Sequence, residues 1–278
     1  KFTSDGHFIT SWGGLGTDDG KFTALTGGMA ADGNGHLYVA EEGRIQKFTT
    51  DGKFIRKWGQ YGDGNGEFGC SPGNCTIQQW RCTAGQLSMP TGITIDQDDV
   101  LYVTESGNSR IQKFNTDGQP LSFWGEWGRQ DGHFWELAGS AAVDNDKIVY
   151  TAEYGSDRIQ KFTTNGDFLA KWSNSGTGEG KFKKPRGIGL DSSGNVYVSD
   201  SGNQRIQKFG PEGIFIAEWG SLGEADGQLQ WPSGIKIDAQ GNIYVADTWS
   251  DRIQKLDGNG NFILQWVCSG KRRPEWRQ

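Results

Sequence analysis

The sequence predicts an all-β protein: a six-bladed, or five-and-a-half-bladed, β-propeller with four antiparallel strands in each blade. Three observations predict it. First, glycine makes up 44 of the 278 residues, a share that disfavours helices and suits many tight turns. Second, Arg-Ile-Gln-Lys-Phe begins at residues 44, 110, 158 and 205, and Arg-Ile-Gln-Lys-Leu begins at residue 252. Third, a tryptophan follows each copy at a fixed distance, and with one earlier member the series is Trp12, Trp58, Trp124, Trp172, Trp219 and Trp266.

Each repeat divides into four short strands. The tryptophans are 46, 66, 48, 47 and 47 residues apart, so the unit has about 47 residues and one copy carries an insertion. An apolar run such as residues 92–96 precedes a polar turn, and a second alternating run such as residues 196–200 ends in an acid. The Arg-Ile-Gln-Lys-Phe strand follows, and an Asp-Gly or Asn-Gly pair, typical of tight hairpins, leads to a fourth strand such as residues 168–172. Four-stranded units of this length, repeated around an axis, are typical of propeller blades.

Five units are complete, and residues 1–13 match only the outer half of a sixth unit. This half is expected to lie beside the blade that ends at Trp266, but the chain ends before a matching inner half. Three explanations stay open: a truncated sequence, a thin sixth blade patched by the tail, or strands supplied by self-association, since a bare sheet edge invites pairing. The predicted blades are residues 14–58, 59–124, 125–172, 173–219 and 220–266, with a cysteine-containing insertion at 67–86 and a tail at 267–278.

The amino-acid sequence of the fourth unit resembles a known repeat. Pro185-Arg186-Gly187-Ile188 is followed by Asp-Ser-Ser-Gly-Asn-Val-Tyr-Val-Ser-Asp at residues 191–200 and by Asn-Gln-Arg-Ile-Gln-Lys-Phe at residues 203–209. This pattern closely resembles the NHL repeat family, and the resemblance extends over nearly the whole chain. It implies a β-propeller whose two chain ends join within one blade. It implies no particular activity, because propellers host binding modules, scaffolds and enzymes alike.

The four cysteines lie outside the repeated strands. Cys70, Cys75 and Cys82 belong to the insertion, and Cys268 follows the last blade. Zinc and free thiols are the competing interpretations, but the chain has no Cys-x2-Cys pair and no histidine near these residues. The even number favours two disulfides, one of them joining Cys268 to the insertion, and hence an extracellular or cell-surface location.

An acid ends the second strand of every complete unit, and an arginine opens the third. This regularity predicts a structural ion pair in each blade, because a functional site is normally asymmetric. Other carboxylates lie in the glycine-rich loops that lead into the blades; solubilising charge explains them, and a Ca2+ site is the alternative. The acids are Glu41, Glu105, Glu153, Asp200 and Asp247, the arginines are Arg44, Arg110, Arg158, Arg205 and Arg252, and the loop carboxylates include Asp18, Asp19, Asp131, Glu224 and Asp226.

The sequence contains no recognisable group of catalytic residues. Some lyases of the NHL type hold a metal through histidines around the central channel, so the resemblance implies, as an alternative function, a propeller lyase or lactonase with a metal at the channel. His7, His36 and His133, however, occupy three different positions of the repeat. No catalytic residue, metal ligand or cofactor is predicted, since the positions expected to face the channel carry no nucleophile with its base. These positions are Ala30, Thr94, Ala142, Gly189 and Lys236.

Charge and hydropathy exclude two classes of partner. The formal net charge of −6 disfavours nucleic acid, whose binding depends on neutralising phosphates. No apolar run approaches the length of a membrane span. The acidic rim is instead expected to steer basic or neutral partners.

Large aromatic residues that do not recur from unit to unit are the predicted binding site. The repeat places most of them in loops on one face, where exposed aromatics are typical binding anchors. Trp127 and Trp249 are the strongest candidates, because a packing residue would be expected to repeat. The sequence therefore predicts a non-catalytic extracellular recognition or scaffold propeller that binds a protein or glycan on this face. The candidates are Tyr61, Trp80, Trp127, Trp135, Tyr154, Trp231 and Trp249.

Overall fold

The computed structural model describes residues 1–23, 27–41, 43–60, 90–172 and 175–267. In this part of the chain, twenty strands form five sheets, each with four antiparallel strands joined in chain order. The strands are β1 (Met29–Ala31), β2 (His36–Glu41), β3 (Arg44–Thr49), β4 (Phe54–Trp58), β5 (Pro90–Ile95), β6 (Leu101–Glu105), β7 (Arg110–Phe114), β8 (Pro120–Trp124), β9 (Ala141–Val143), β10 (Ile148–Glu153), β11 (Arg158–Thr163), β12 (Phe168–Trp172), β13 (Pro185–Leu190), β14 (Val196–Asp200), β15 (Arg205–Phe209), β16 (Phe215–Trp219), β17 (Pro232–Ile237), β18 (Ile243–Asp247), β19 (Arg252–Leu256) and β20 (Phe262–Val267). The sheets are propeller blades, because the first strands of successive sheets lie side by side: β1 beside β5, β5 beside β9, β9 beside β13 and β13 beside β17.

The number of blades differs from the prediction. The described residues form five blades, so the predicted six-bladed or five-and-a-half-bladed ring is wrong. Residues 1–13 belong to none of these sheets: Phe2 and Phe8 form one isolated antiparallel bridge, and their side chains are 49% and 62% exposed. A two-stranded hairpin is marginal in water without further strands to pack on, so similarity to an outer half-blade does not make this segment a blade. The hairpin lies against the last blade, where a Cβ atom on Gly6 would be 3.2 Å from Nε1 of Trp266.

The hydrophobic core lies between the blades. Ala40 and Ile45 of the first blade, for example, pack in one buried cluster with Ile93 and Leu101 of the second. The second and third strands of each blade are largely buried, whereas the fourth is mostly exposed or half-buried. Each sheet therefore buries its apolar faces against its neighbours, as the repeat pattern predicts.

The repeated tryptophans join one blade to the next. The five from Trp12 to Trp219 each pack on the glycine of the hairpin turn in the blade that follows, and Trp266 lies against Gly6 of the N-terminal hairpin. A Cβ atom on Gly260 would lie 1.9 Å from Cδ1 of Trp219, and Gly260 has a φ of +82°, so the turn needs glycine both for its backbone conformation and for the close approach. The packing role predicted for the tryptophan series is confirmed. The other pairs are Trp12 with Gly52, Trp58 with Gly118, Trp124 with Gly166 and Trp172 with Gly213.

The predicted ion pair between the second-strand acid and the third-strand arginine is present in all five blades. In the fourth blade, Nε of Arg205 donates to Asp200 at 2.9 Å. The other guanidinium N–H groups donate to the backbone oxygens of Thr177, Gly178 and Lys181 at 2.7–3.0 Å, and Nη1 also donates to the carboxylate of Glu218 at 2.6 Å. The pair thus fastens the loop that leads into the blade, which confirms a structural role.

Three of these carboxyl groups are costly to ionise. Burial raises the pKa of Glu105, Glu153 and Asp200 above the ordinary values, against the lowering effect of their hydrogen bonds and of the paired arginines. The arginines therefore compensate charges that the fold has removed from water.

A second set of hydrogen bonds, repeated in each blade, fixes the turn between the first and second strands. Oδ1 of Asp191 accepts the backbone N–H groups of Ser193 and Asn195 at 3.0 Å each, and Oδ2 accepts the hydroxyl of Tyr197 at 3.2 Å. Burial acts to raise the pKa of Asp191, but hydrogen bonds from Asn195 and Ser193 outweigh it and the pKa is lowered. The equivalent pairs are Asp32 with Tyr38, Asp96 with Tyr102, Asp144 with Tyr150 and Asp238 with Tyr244.

Replacing Asp191 with asparagine is expected to lower the free energy of unfolding at neutral pH by about 1–2 kcal/mol, because a charged acceptor makes stronger hydrogen bonds than a neutral one. The folded pKa is lowered, so this stabilisation is fully present above the ordinary pKa of 3.8 and is lost as the pH falls through the folded value. Urea unfolding at a series of pH values measures the effect. The wild type should lose more stability than Asp191→Asn between neutral and acid pH, and equal losses would contradict the prediction.

Candidate functional site

The candidate site lies at the end of the blades where first strands begin and second strands end. Trp127 and Trp135 belong to the loop that leads into the third blade, and their rings are 4.7 Å apart. Trp231 directly precedes β17, and Trp249 lies in the turn between β18 and β19. These two rings are stacked, with centroids 4.8 Å apart and planes at 8°. Two tryptophan pairs therefore stand on the same face.

Cations and a tyrosine lie between the two pairs. Nζ of Lys184 is 5.3 Å from the ring centre of Tyr154 and 5.7 Å from that of Trp231. The guanidinium carbon of Arg186 is 5.1 and 5.8 Å from the same two centres. Each is within cation–π distance of both rings, so these four residues form one contact group.

The tyrosine connects this group to the other tryptophan pair. Gly155 follows Tyr154, and a Cβ atom on it would lie 2.5 Å from Cδ1 of Trp135, so Trp135 packs directly on the adjoining backbone. The result is a continuous surface across the third, fourth and fifth blades, here called the aromatic–cation row. Its members are Trp127, Trp135, Tyr154, Lys184, Arg186, Trp231 and Trp249.

The backbone holds two of these side chains in an unusual conformation. Lys184 and Trp231 have φ angles of +54° and +58°, a left-handed region that residues other than glycine seldom adopt. The N–H of Lys184 donates to Asp157 at 2.7 Å, and the N–H of Trp231 donates to the side chain of Gln204. Hydrogen bonds from the preceding blade thus hold the start of each inner strand and fix where the side chains of the row stand.

The row is open to ligands at both ends and in the middle. The side chain of Trp249 is 63% exposed and that of Trp127 is 39% exposed, which is costly for so large an apolar surface unless it is used. A cavity of about 430 Å3 opens beside Tyr154 and Lys184, and another of about 490 Å3 is lined by Trp127, Trp135 and the intervening loop. The row therefore combines exposed aromatic surface with two open cavities.

All the predicted aromatics within the described residues belong to this row, and their role in ligand binding stays a prediction. Tyr61 and Trp80 lie outside the described residues. Sequence reasoning missed Lys184 and Arg186. A signal for the arginine was present, because the matching positions of the other units hold small or uncharged residues: Gly27, Thr91, Gly139 and Ser233.

Lys236, one of the residues predicted to face the central channel, lies in a mostly apolar cavity. Lys236 lines a cavity of about 400 Å3 together with Ala30 and Thr94, and apolar side chains make up most of the remaining wall. Desolvation beside the channel wall lowers the pKa of Lys236, although its side chain is exposed to the cavity. Among the described residues, no histidine or carboxylate lines this cavity.

The described residues contain no group of three or more histidine, cysteine or acidic side chains that could hold a metal ion. His36 is bonded to Asp32 at 2.8 Å, and His7 lies 3.1 Å from Asp5. Several loop carboxylates suggested for calcium pair with lysines instead: Asp18 with Lys21, Asp19 with Lys57 and Asp131 with Lys171. The predicted disulfides of Cys70, Cys75, Cys82 and Cys268 lie outside the described residues.

Comparison with known proteins agrees with this architecture. The family model of the NHL repeat matches residues 87–114, 182–209 and 229–256, which belong to the second, fourth and fifth blades. A search of curated proteins found no match. Within the described part of the chain, no helix is long and apolar enough to cross a membrane.

Several solved structures have a similar fold. A chain of a nidogen–laminin complex superposes with a TM-score of 0.59 at 16% identity, covering 86% of this chain and 79% of that one. Virginiamycin B lyase from Staphylococcus aureus gives 0.57 at 17% identity, with coverages of 89% and 72%. A protein of unknown function from Bacteroides caccae gives 0.62 at 14% identity, with coverages of 86% and 80%. At such low identity the similarity shows the fold alone.

Proposed function

We propose that this NHL-repeat β-propeller is a non-catalytic, extracellular recognition propeller that binds a protein partner through the aromatic–cation row. One observation carries the proposal: the non-repeating aromatics of the described residues, scattered over more than a hundred positions of sequence, lie together on one face. Repeated aromatics are accounted for by blade packing, so this row requires a different explanation.

The composition of the row supports a protein partner. Tryptophan, tyrosine and arginine are the residues most enriched among the energetic hot spots of protein interfaces, and they act best when clustered. NHL propellers generally serve as protein-binding scaffolds, and one of the similar structures is a complex of nidogen with laminin. The proposed extracellular location is supported by the cysteine pattern of the sequence and by the tendency of such patterns to occur in oxidising compartments.

A lyase-like reaction at the channel is the second candidate function. It is supported by the similarity to virginiamycin B lyase and by the lowered pKa of Lys236 inside a cavity of about 400 Å3. Metal analysis of the purified protein separates the two functions. One tightly held ion per chain would favour the enzyme, whereas a recognition propeller needs none at the channel.

Replacing Trp127 or Trp249 with alanine is expected to weaken partner binding at least roughly tenfold, because exposed aromatic anchors carry much of the energy of an interface. The melting temperature should stay within a few degrees of the wild-type value, since neither ring occupies a repeated packing position. Partners are captured from the extracellular fraction, purified, and titrated against each variant by biolayer interferometry.

Ile216→Ala is the matched control. Ile216 is also exposed, at 51%, but lies on the outer strand β16, away from the row. Its replacement should leave binding unchanged. If the tryptophan variants instead lose about 3–5 kcal/mol of stability, as buried tryptophans do, or bind the purified partner normally, the row is not the binding face.

A further inference from the structure

Arg186 carries hydrogen-bonding capacity that the fold does not use. Its Nε atom is buried and has no hydrogen-bond partner among the described residues. Neither Arg186 nor Lys184 has an ion-pair partner in the described part of the chain. A buried N–H group without an acceptor costs free energy, and a guanidinium normally finds a carboxylate where one is available. The two cations are therefore held together with unmatched charge.

The position of Arg186 argues against a role in the repeat architecture. Its backbone oxygen accepts the N–H and the hydroxyl of Ser140 at 2.8 and 3.4 Å, so the main chain is anchored to the preceding blade. The side chain is not needed for this contact. A structural requirement would recur in the other blades, and the arginine does not recur at the matching positions.

The cavity beside Lys184 and Tyr154 has the size to admit an acidic side chain; Arg186 is not among its lining residues but contacts the Tyr154 ring that lines it. It has a volume of about 430 Å3 and is lined by Tyr154, Lys184, Lys183 and the backbone of the neighbouring loop. Two acids also line it, but Asp157 is bonded to the N–H of Lys184 and to the hydroxyl of Ser175. The other, Glu136, is exposed. A guanidinium held against two rings presents its N–H groups in its own plane, which matches a carboxylate.

We propose that Arg186 and Lys184 form a carboxylate-binding subsite of the aromatic–cation row, and that the partner docks with an acidic segment whose apolar side chains pack on Trp231 and Trp249. This inference rests on the proposed protein-binding function. It reverses the expectation from net charge, because the acidic chain as a whole favours basic or neutral partners whereas the row itself is locally cationic. Local charge decides the contact, since opposite charges at short range outweigh screened charges elsewhere on the surface.

The test uses an array of short peptides in which glutamate or aspartate stands between apolar and aromatic residues, with glutamine or asparagine versions of each peptide. Fluorescence polarisation against the full chain should show tighter binding of the acidic versions, and the difference should shrink at high salt. Arg186→Met should weaken binding of the acidic peptides roughly tenfold and leave the amide versions unchanged. Arg186→Lys should retain part of the preference, and Lys147→Met, which removes an exposed cation paired with Asp98, should have no effect.

The outcomes separate this subsite from the proposed function. If Trp249→Ala weakens peptide binding but Arg186→Met leaves the acidic preference intact, the row binds proteins and the carboxylate subsite is wrong. If no acidic peptide binds, or if only sulfated oligosaccharides run beside the array bind in an Arg186-dependent manner, the acidic-segment proposal is overturned. If partner capture itself proves independent of both tryptophans, the proposed function fails first.

Discussion

Replacing Arg205 with methionine is expected to lower the free energy of unfolding by about 3–5 kcal/mol, because it leaves a buried carboxylate without its countercharge. Asp200 is fully buried, and Arg205 donates to it at 2.9 Å. The same guanidinium bonds the backbone oxygens of Thr177, Gly178 and Lys181 in the loop that leads into the blade, so each of these oxygens loses one donor. The substitution also removes the bond from Arg205 to the carboxylate of Glu218. Urea unfolding followed by tryptophan fluorescence gives the free energy.

Two further variants make this result specific. Adding Asp200→Asn to Arg205→Met should recover part of the loss, because the uncompensated charge is then removed. Lys147→Met, which breaks an exposed ion pair with Asp98, should cost no more than about 1 kcal/mol. If Arg205→Met alone loses no more stability than Lys147→Met, the prediction is contradicted.

The pH dependence gives an independent check on Arg205→Met. Burial already raises the pKa of Asp200, and without the arginine it should rise further. A carboxyl group whose folded pKa is raised destabilises the fold when ionised and ceases to do so as the pH falls through that pKa. The difference in stability between the variant and the wild type should therefore shrink toward acid pH.

Replacing Gly260 with alanine is expected to cost about 2–5 kcal/mol. A left-handed residue with a Cβ atom costs about 1–2 kcal/mol, and forcing that atom into a packed contact adds about 1–3 kcal/mol. Here the φ is +82° and the new atom would lie 1.9 Å from Cδ1 of Trp219, whose ring belongs to the preceding blade. Thermal and urea unfolding measure the loss.

Gly241 is a matched control for this substitution. Its φ is +83°, yet nothing lies within 4 Å of a Cβ atom built on it. Gly241→Ala should therefore show only the backbone cost, and the difference between the two variants measures the contact between blades. Equal losses of stability in the two variants would show that the contact between Trp219 and the turn does not add to the cost of the new Cβ atom.

Most of the fold could be predicted from the sequence because its determinants are local and recur. The Arg-Ile-Gln-Lys-Phe strand, the Asp-Gly and Asn-Gly turns and the tryptophan at a fixed distance each specify one part of a blade. The acid–arginine pairs were predicted for the same reason, and all five are present. The blade count was wrong, because residues 1–13 match an outer half-blade in sequence but form only an isolated bridge between Phe2 and Phe8. Whether a matching segment becomes a blade depends on how many strands it can pack against.

The four-stranded repeat, the packing tryptophans and the set of aromatics that packing does not explain could all be identified from the sequence, because each is visible as a regularity or as a departure from one. The folded arrangement of the blades was needed to show that one row contains Trp127, Trp135, Tyr154, Trp231 and Trp249, with Lys184 and Arg186 within it. Those residues come from three blades, and contacts between rings and cations depend on where separate blades bring their loops together. The unpartnered Nε of Arg186 has the same origin: burial and the absence of an acceptor among the described residues arise from packing in three dimensions, which no spacing along the chain records.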